Sequence, residues 1–136
     1  MSMLTIGEIE AALRASWAAD TCSPDDLQRA GWDPANPAWG HCDVTALLLH
    51  DIFGGDLVVG EVFADGEQQG FHWWNRLDSG VDIDLTRSQF QAGQQVIGAK
   101  VVKRPTDKLP RRHKEYLLLR ERVEARLGRL PGFRQH

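Results

Sequence analysis

The chain has 136 residues, of which 42% are hydrophobic and 26% are charged, and its formal net charge is −3. This length and composition are typical of one globular domain, and the absence of any apolar run of about eighteen residues excludes a transmembrane helix. The N-terminal residues lack the basic and apolar segments of a signal peptide, so we expect a single cytoplasmic domain spanning residues 1–136.

The first part of the chain predicts one helix and a loop. Thr5 and Glu8 have the spacing of a capping box, and the apolar residues behind them fall on one face, which predicts an amphipathic helix over residues 6–18. A loop is predicted over residues 21–33, with one helical turn after Pro24.

A proline- and tryptophan-rich loop then leads into a helix that carries Cys42 at its N-terminal end. Gly40 permits a sharp turn, and the apolar residues after Asp43 have helical spacing until two glycines end the pattern. The sequence therefore predicts a helix over residues 43–53. Unpaired amides and the positive end of the helix dipole favour a thiolate at Cys42, and a buried structural cysteine is the alternative.

Four stretches have the composition of β-strands: residues 56–63, 70–77, 81–86 and 96–102. In the third stretch apolar and polar side chains alternate, which predicts a half-buried strand with Asp82 and Asp84 on the face opposite to its apolar residues. A short irregular or helical link is predicted over residues 88–93.

The C-terminal part of the chain is basic and predicts a helix over residues 111–127, after a connection that contains Pro105 and Pro110. Residues 1–99 hold 4 Lys/Arg and 15 Asp/Glu, whereas residues 100–136 hold 12 Lys/Arg and 4 Asp/Glu. We expect the helix to dock by its apolar face and to leave its arginines mostly solvated. A nucleic-acid surface is the alternative, and it is disfavoured because no stacking aromatic residues accompany the basic ones. The apolar face consists of Tyr116, Leu119, Val123 and Leu127.

The order of these elements indicates the fold class. Two helices, several strands and a final helix predict an α+β fold, in which helices pack on one face of an antiparallel sheet of at least four strands.

Three residues have the chemistry of a thiol enzyme. Such an enzyme needs a nucleophilic sulfur, an imidazole that exchanges its proton and a group that orients the imidazole. The chain offers Cys42, His72 and Asp84 in that order. His72 and Asp84 fall on neighbouring predicted strands about 5 Å apart, which predicts a hydrogen bond between them. Asp82 is an alternative orienting group, and His72 taken alone is more typical of a hydrogen-bonded core histidine.

The segments around these residues resemble a known superfamily. The run Phe71-His72-Trp73-Trp74-Asn75, followed by Asp78-Ser79-Gly80 and Asp84-Leu85-Thr86, is similar to the core of transglutaminase-like thiol enzymes. The resemblance implies a papain-like core, with a helix packed on a sheet. It also implies that Cys42, His72 and Asp84 form a catalytic triad.

A closer resemblance covers residues 6–90. The Asn-Pro-x-x-Gly-x-Cys pattern ending at Cys42, the Phe-Gly-Gly run after the predicted helix, His-x-Trp-Asn from His72 and Asp-Leu-Thr-x-x-x-Phe from Asp84 resemble the small bacterial YunG-like proteins. This resemblance implies no substrate. The chain departs from the expected pattern at His41, where an amide side chain, usually Gln, precedes the cysteine.

Other polar and aromatic residues have less specific signals. Trp39, Trp74 and Asn75 are candidates for contacts with a substrate, although Trp39 is equally suited to covering the core and Asn75 to bonding near a turn. We expect His41 to be a surface or capping residue and Cys22 to be an ordinary thiol. A metal site formed by His41, Cys42 and His72 is an alternative that the sequence indicates only weakly. Because no Cys-x-x-Cys, His-Glu-x-x-His or phosphate-binding pattern is present, we expect no metal and no cofactor.

The preferred hypothesis from the sequence is a cysteine-dependent hydrolase or acyltransferase that attacks a peptide, amide or ester carbonyl through Cys42, His72 and Asp84. The alternative hypothesis is a non-enzymatic module that keeps the fold and binds a peptide or protein in a tryptophan-lined groove.

Overall fold

A computed structural model describes residues 5–87, 93–103 and 112–130. Within these ranges the helices are α1 (Ile6–Ser16), α2 (Pro24–Ala30), α3 (Cys42–Phe53) and α4 (His113–Leu127), and the strands are β1 (Asp56–Ala64), β2 (Glu67–Arg76), β3 (Asp82–Ile83) and β4 (Gln94–Val102). The predicted connection at Pro105 and Pro110, and the predicted link over residues 88–93 apart from Gly93, lie outside the described residues. No helix in the described ranges is long and apolar enough to cross a membrane.

The strands form one antiparallel sheet in the order β3-β2-β1-β4. The predicted α+β fold with a four-stranded antiparallel sheet is therefore confirmed. β1 is central, so that Val58 pairs with Trp74 on one side and with Val101 on the other. β3 covers very little of β2, because it pairs only with Asn75 and Arg76.

The third strand is much shorter than the predicted range of residues 81–86. Ile83 is buried, but Val81 is 58% exposed, and the strand ends after Ile83. The chain turns there because the Asp84 carboxylate accepts hydrogen bonds from the backbone N–H and the hydroxyl of Thr86, a local contact that competes with strand pairing.

The hydrophobic core lies where the helices meet the sheet. α3 packs on β1 and β2, α4 packs on α3, and α1 packs on α4. Trp73 contacts this core, so it faces the helices. Because successive side chains of a strand point to opposite faces of the sheet, only one of Trp73 and Trp74 faces this side. Residues of the core that are almost completely buried include Ile9, Leu13, Leu48, Leu57, Leu119 and Val123.

The C-terminal helix docks by the predicted face, since Tyr116, Leu119 and Val123 are buried. The expectation that its arginines stay solvated is wrong for Arg120. Its side chain is 4% exposed and donates a hydrogen bond to the carbonyl oxygen of Leu130. This arginine of the basic C-terminal region therefore belongs to the protein interior.

Candidate functional site

Cys42 is the first residue of α3, directly after a turn that only glycine can make. Gly40 has a φ of 79°, in the left-handed region. A Cβ at this position would overlap the sulfur of Cys22. Both the backbone conformation and the lack of space therefore require glycine before the cysteine.

The turn is held by one local hydrogen bond and by two from more distant parts of the chain. The carbonyl oxygen of Trp39 accepts a hydrogen bond from His41 Nδ1 at 2.9 Å. The carbonyl oxygen of Gly40 accepts one from the backbone N–H of Ser23 at 3.0 Å and one from Arg112 Nη2 at 3.2 Å. These contacts fix the position of the turn that precedes Cys42 at the start of α3.

Arg112 joins the N-terminal end of α4 to this turn, a role that no pattern in the sequence indicates. Its guanidinium contacts both carboxylate oxygens of Asp43, at 3.0 and 3.2 Å, and one oxygen of Glu115 at 2.9 Å. It also donates a hydrogen bond to the carbonyl oxygen of Thr21. Because Arg112 is buried, we infer that it organises the Cys42 turn from within the protein.

His41 is buried, which corrects its expected place at the surface. It occupies the N-cap position of α3, as the capping alternative predicts, but its side chain makes no capping hydrogen bond. Nδ1 donates to the Trp39 carbonyl, which only accepts, so Nε2 is the acceptor for the Thr21 hydroxyl at 2.7 Å. Burial lowers the pKa of His41 to about 4, although the hydrogen bond to Trp39 acts in the opposite direction. The ring is therefore a neutral structural group, and both of its nitrogens are occupied.

His41 is expected to make the protein sensitive to mild acid. Between pH 6.5 and 4 the unfolded chain binds a proton at this imidazole and the folded chain does not, so stability falls as the pH falls. From a folded pKa of about 4 and an unfolded value of about 6.5, the loss between pH 7 and pH 5 is about 2 kcal/mol. Urea unfolding of the wild type and of His41→Gln at pH 7 and pH 5 measures this loss of stability. An equal loss in both proteins would contradict this assignment.

His72 and Asp84 form the hydrogen bond that the sequence predicts. Nε2 of His72 lies 2.6 Å from Oδ2 of Asp84, and His72 as a whole is 1% exposed. The other carboxylate oxygen of Asp84 accepts from Thr86, which holds the carboxylate in place. The ring of Trp74 stacks on the imidazole with 5.6 Å between the ring centroids. The hydrogen bond to Asp84 at the edge of the imidazole and the stacking of Trp74 on its face thus fix the orientation of His72.

Asp82, the alternative orienting group, has other partners. It accepts hydrogen bonds from the indole N–H of Trp74 at 3.0 Å and from Arg76 Nε at 2.7 Å. Trp74 therefore contacts both His72 and Asp82, and its contact with a substrate stays a prediction. Asn75 is likewise buried, and it donates to the carbonyl oxygen of Ala46 in α3 at 2.9 Å. This bond ties α3 to β2, so Asn75 has a structural role.

Cys42 and His72 line the same cleft, which has a volume of about 790 Å³. Trp39 also lines it, as one of the two interpretations of that residue predicts, and α2 contributes the carboxylate of Asp26. The structure thus brings together Cys42, His72 and Trp39 at one surface, with Asp84 hydrogen-bonded to the imidazole.

The sulfur of Cys42 contacts the backbone of β2 on either side of His72. It donates to the carbonyl oxygen of Phe71 at 3.9 Å and accepts a hydrogen bond from the N–H of Trp73. A direct contact between the sulfur and the imidazole stays a prediction.

The expectation that the helix N-terminus stabilises a thiolate at Cys42 is wrong. Burial, followed by the nearby Asp43 carboxylate, raises its pKa to about 12. Asp26 and Asp84 act in the same direction, whereas the hydrogen bond from Trp73 lowers the pKa. A helix N-terminus supplies about half a unit of positive charge, which acts in the opposite direction to desolvation and to these carboxylates. The resting group is a neutral thiol.

Cys42 is therefore expected to react slowly with a small alkylating reagent. With iodoacetamide at pH 7.5 its rate should be at least about a hundredfold below that of a free cysteine, whose pKa is about 8.5. The rate should rise about tenfold per pH unit up to pH 9. Cys22, whose pKa burial raises to about 11, is an internal comparison on a separate tryptic peptide. A rate that reaches a plateau below pH 8 would show instead that Cys42 is a thiolate.

Metal binding has no support in the described ranges. There, no group of three or more His, Cys, Asp or Glu side chains is arranged to hold a metal ion.

Comparison with known proteins identifies the family of this chain. The family model described as YunG protein matches residues 5–128. The uncharacterized protein YunG of Bacillus subtilis (strain 168) is 34% identical over 80 residues, which cover 59% of this chain and 58% of that protein. The match thus spans less than two thirds of this relative. No solved structure gives a significant match. The likeness to transglutaminase-like enzymes stays a prediction, and the chain belongs to the YunG family.

Proposed function

We propose that this protein is a cysteine-dependent hydrolase or acyltransferase that acts on an amide or ester carbonyl. Cys42 is the nucleophile, His72 the general acid and base, and Asp84 the group that orients His72. The observation that carries the proposal is the 2.6 Å bond between His72 and Asp84, beside a cleft that both His72 and Cys42 line. The packing of α3 on the antiparallel sheet supports a papain-like core as part of the same proposal.

The bond to Asp84 determines which nitrogen of His72 is the base. In the proposed mechanism Nε2 donates to the Asp84 carboxylate, so Nδ1 is the acceptor nitrogen. Nδ1 is therefore the atom that takes the thiol proton in the proposed reaction. Asp84 then stabilises the imidazolium that results.

The resting thiol sets the order of the proposed steps. Because the pKa of Cys42 is raised, the proton moves to His72 as the sulfur attacks the carbonyl carbon, and an S–C bond forms while the C=O π electrons move to oxygen. The tetrahedral intermediate collapses, the bond to the leaving group breaks, and His72 returns the proton to that group. Water or an amine then attacks the thioester with His72 as base, which releases the acyl product and restores the thiol.

The oxyanion of this intermediate has a donor at the N-terminus of α3. The backbone N–H of Cys42 is among the first-turn amides that a helix does not use for its own hydrogen bonds. It belongs to the residue that carries the nucleophile, so we propose it as the oxyanion donor. His41 does not act as a donor to the oxyanion, because Trp39 and Thr21 occupy its nitrogens.

One observation favours the second candidate function, a module that binds a peptide or protein without catalysis. A thiol with a pKa of about 12 is poorly suited to covalent chemistry, unless a bound substrate places the imidazole where it accepts the thiol proton. The two functions differ in whether Cys42 forms a covalent bond with a substrate.

Turnover of simple acyl donors tests the proposed function. We expect the wild type and Cys22→Ala to release p-nitrophenolate from p-nitrophenyl acetate, and Cys42→Ala to fall to the background rate. Cys22→Ala is the matched control, because it removes the other cysteine of the chain. Equal rates for Cys42→Ala and the wild type would favour the binding module.

A further inference from the structure

The cleft that holds Cys42 reaches from Gln94 of β4 and Val62 of β1 across the sheet to the edge at β2. β3 pairs with β2 only at Asn75 and Arg76. Among the described strands, the earlier part of β2 therefore has β1 on one side and none on the other. Five consecutive residues of this part, 68–72, line the cleft together with Cys42. The proposed nucleophile thus lies beside an open strand edge.

Backbone groups of this edge point into the cleft. The carbonyl oxygen of Gln69 accepts a hydrogen bond from Arg29 Nη1 at 3.4 Å, and that of Phe71 accepts one from Cys42 Sγ at 3.9 Å. The N–H of Trp73 donates to the same sulfur. These partners are side chains of α2 and α3. The backbone groups of Phe71 and Trp73 therefore point away from β1, as alternation along a strand requires, and Gln69 is the extra residue where the register between β1 and β2 shifts.

The present partners of the edge are weak enough to be replaced. Arg29 is an exposed side chain, and its hydrogen bond to Gln69 is long. A thiol is a weak donor to the carbonyl of Phe71. An extended chain that supplies backbone N–H groups offers these carbonyls better partners. Open strand edges bind peptides in this way in many proteins.

We propose that the substrate is an extended polypeptide segment, which adds to residues 68–72 of β2 as a further strand and brings one of its own carbonyls to Cys42. The inference rests on the proposed function, because it uses the same nucleophile. It narrows the substrate from any amide or ester to a polypeptide backbone. Recognition through the backbone tolerates many side chains, while the strand register fixes which carbonyl is attacked.

A set of three matched probes tests the inference. The parent is an alanine- and lysine-containing tetrapeptide that ends in a vinyl sulfone. Its alkene captures the sulfur through a new S–C bond while the π bond breaks and the thiol proton passes to the adjacent carbon. Each of two analogues carries a single N-methyl group, on adjacent amides of the peptide. In an added strand, one of these amides faces β2 and the other faces away.

Labelling rates, measured by intact-protein mass spectrometry, should alternate between the two analogues. The analogue methylated on the inward amide loses a hydrogen bond and places a methyl group in the strand interface, so it should label Cys42 at least about tenfold more slowly than the parent. The other analogue should label within about threefold of the parent. Equal effects of the two methyl groups would overturn the inference.

Failure of the inference is distinguishable from failure of the proposed function. If Cys42 turns over p-nitrophenyl acetate but the peptide probes do not label it, the inference is overturned and the proposed function stands. If Cys42 neither turns over the ester nor reacts with any of the probes, both are overturned.

Discussion

Replacement of His72 by Ala should slow the acylation of Cys42 by about 10²–10⁴-fold, the usual contribution of a general acid and base. The effect is expected to be this large because the resting cysteine is a neutral thiol with a pKa of about 12, so attack depends on a base that removes the proton. Release of p-nitrophenolate under single-turnover conditions measures the rate.

Two further variants keep this prediction falsifiable if His72→Ala folds poorly, since the imidazole is almost completely buried. His72→Gln preserves most of the volume and a donor for Asp84, and it should be as slow as His72→Ala. Asp84→Asn should also be slow, by a factor on the order of 10² or more, because an amide does not stabilise an imidazolium. Acylation at the wild-type rate in all three folded variants would exclude a catalytic role for His72.

Replacement of Arg112 by Ala should destabilise the protein by about 3–5 kcal/mol, as the removal of one partner from a buried ion pair does. Asp43 would lose both of its contacts with the guanidinium. The carbonyl oxygens of Thr21 and Gly40 would each lose a donor. Urea unfolding followed by tryptophan fluorescence measures the change.

The control for this variant is Arg126→Ala, which removes an exposed arginine of α4 and should change stability by less than about 0.5 kcal/mol. Similar stabilities of the two variants would show that Arg112 does not organise the Cys42 turn.

The order and type of the elements could be predicted from the sequence because they depend on local signals. The capping box of Thr5 and Glu8 begins α1, and both of its hydrogen bonds are present. The apolar spacing after Cys42 predicts α3 within one residue of its start. The contact between His72 and Asp84 follows from the turn that joins their segments, so it too depends on residues close in the chain.

The remaining features depend on contacts between residues far apart in the chain. Arg112 lies 69 residues from Asp43, and no local pattern marks it among the basic residues around it. The burial of His41 depends on Thr21 and on the ring of Trp17. The pKa of Cys42 is set by packing against β2 and by carboxylates from other elements, whereas sequence analysis considered only the helix that it begins.

The most direct test of the proposed chemistry is the detection of an acyl group on Cys42. Protein mixed with p-nitrophenyl acetate and quenched in acid should carry one acetyl group on the tryptic peptide that spans residues 30–76, which contains Cys42 and not Cys22. Neutral hydroxylamine should remove the group, as expected for a thioester, and His72→Gln should accumulate it far more slowly. An unmodified Cys42 peptide, after incubation with a large excess of the ester, would contradict the account.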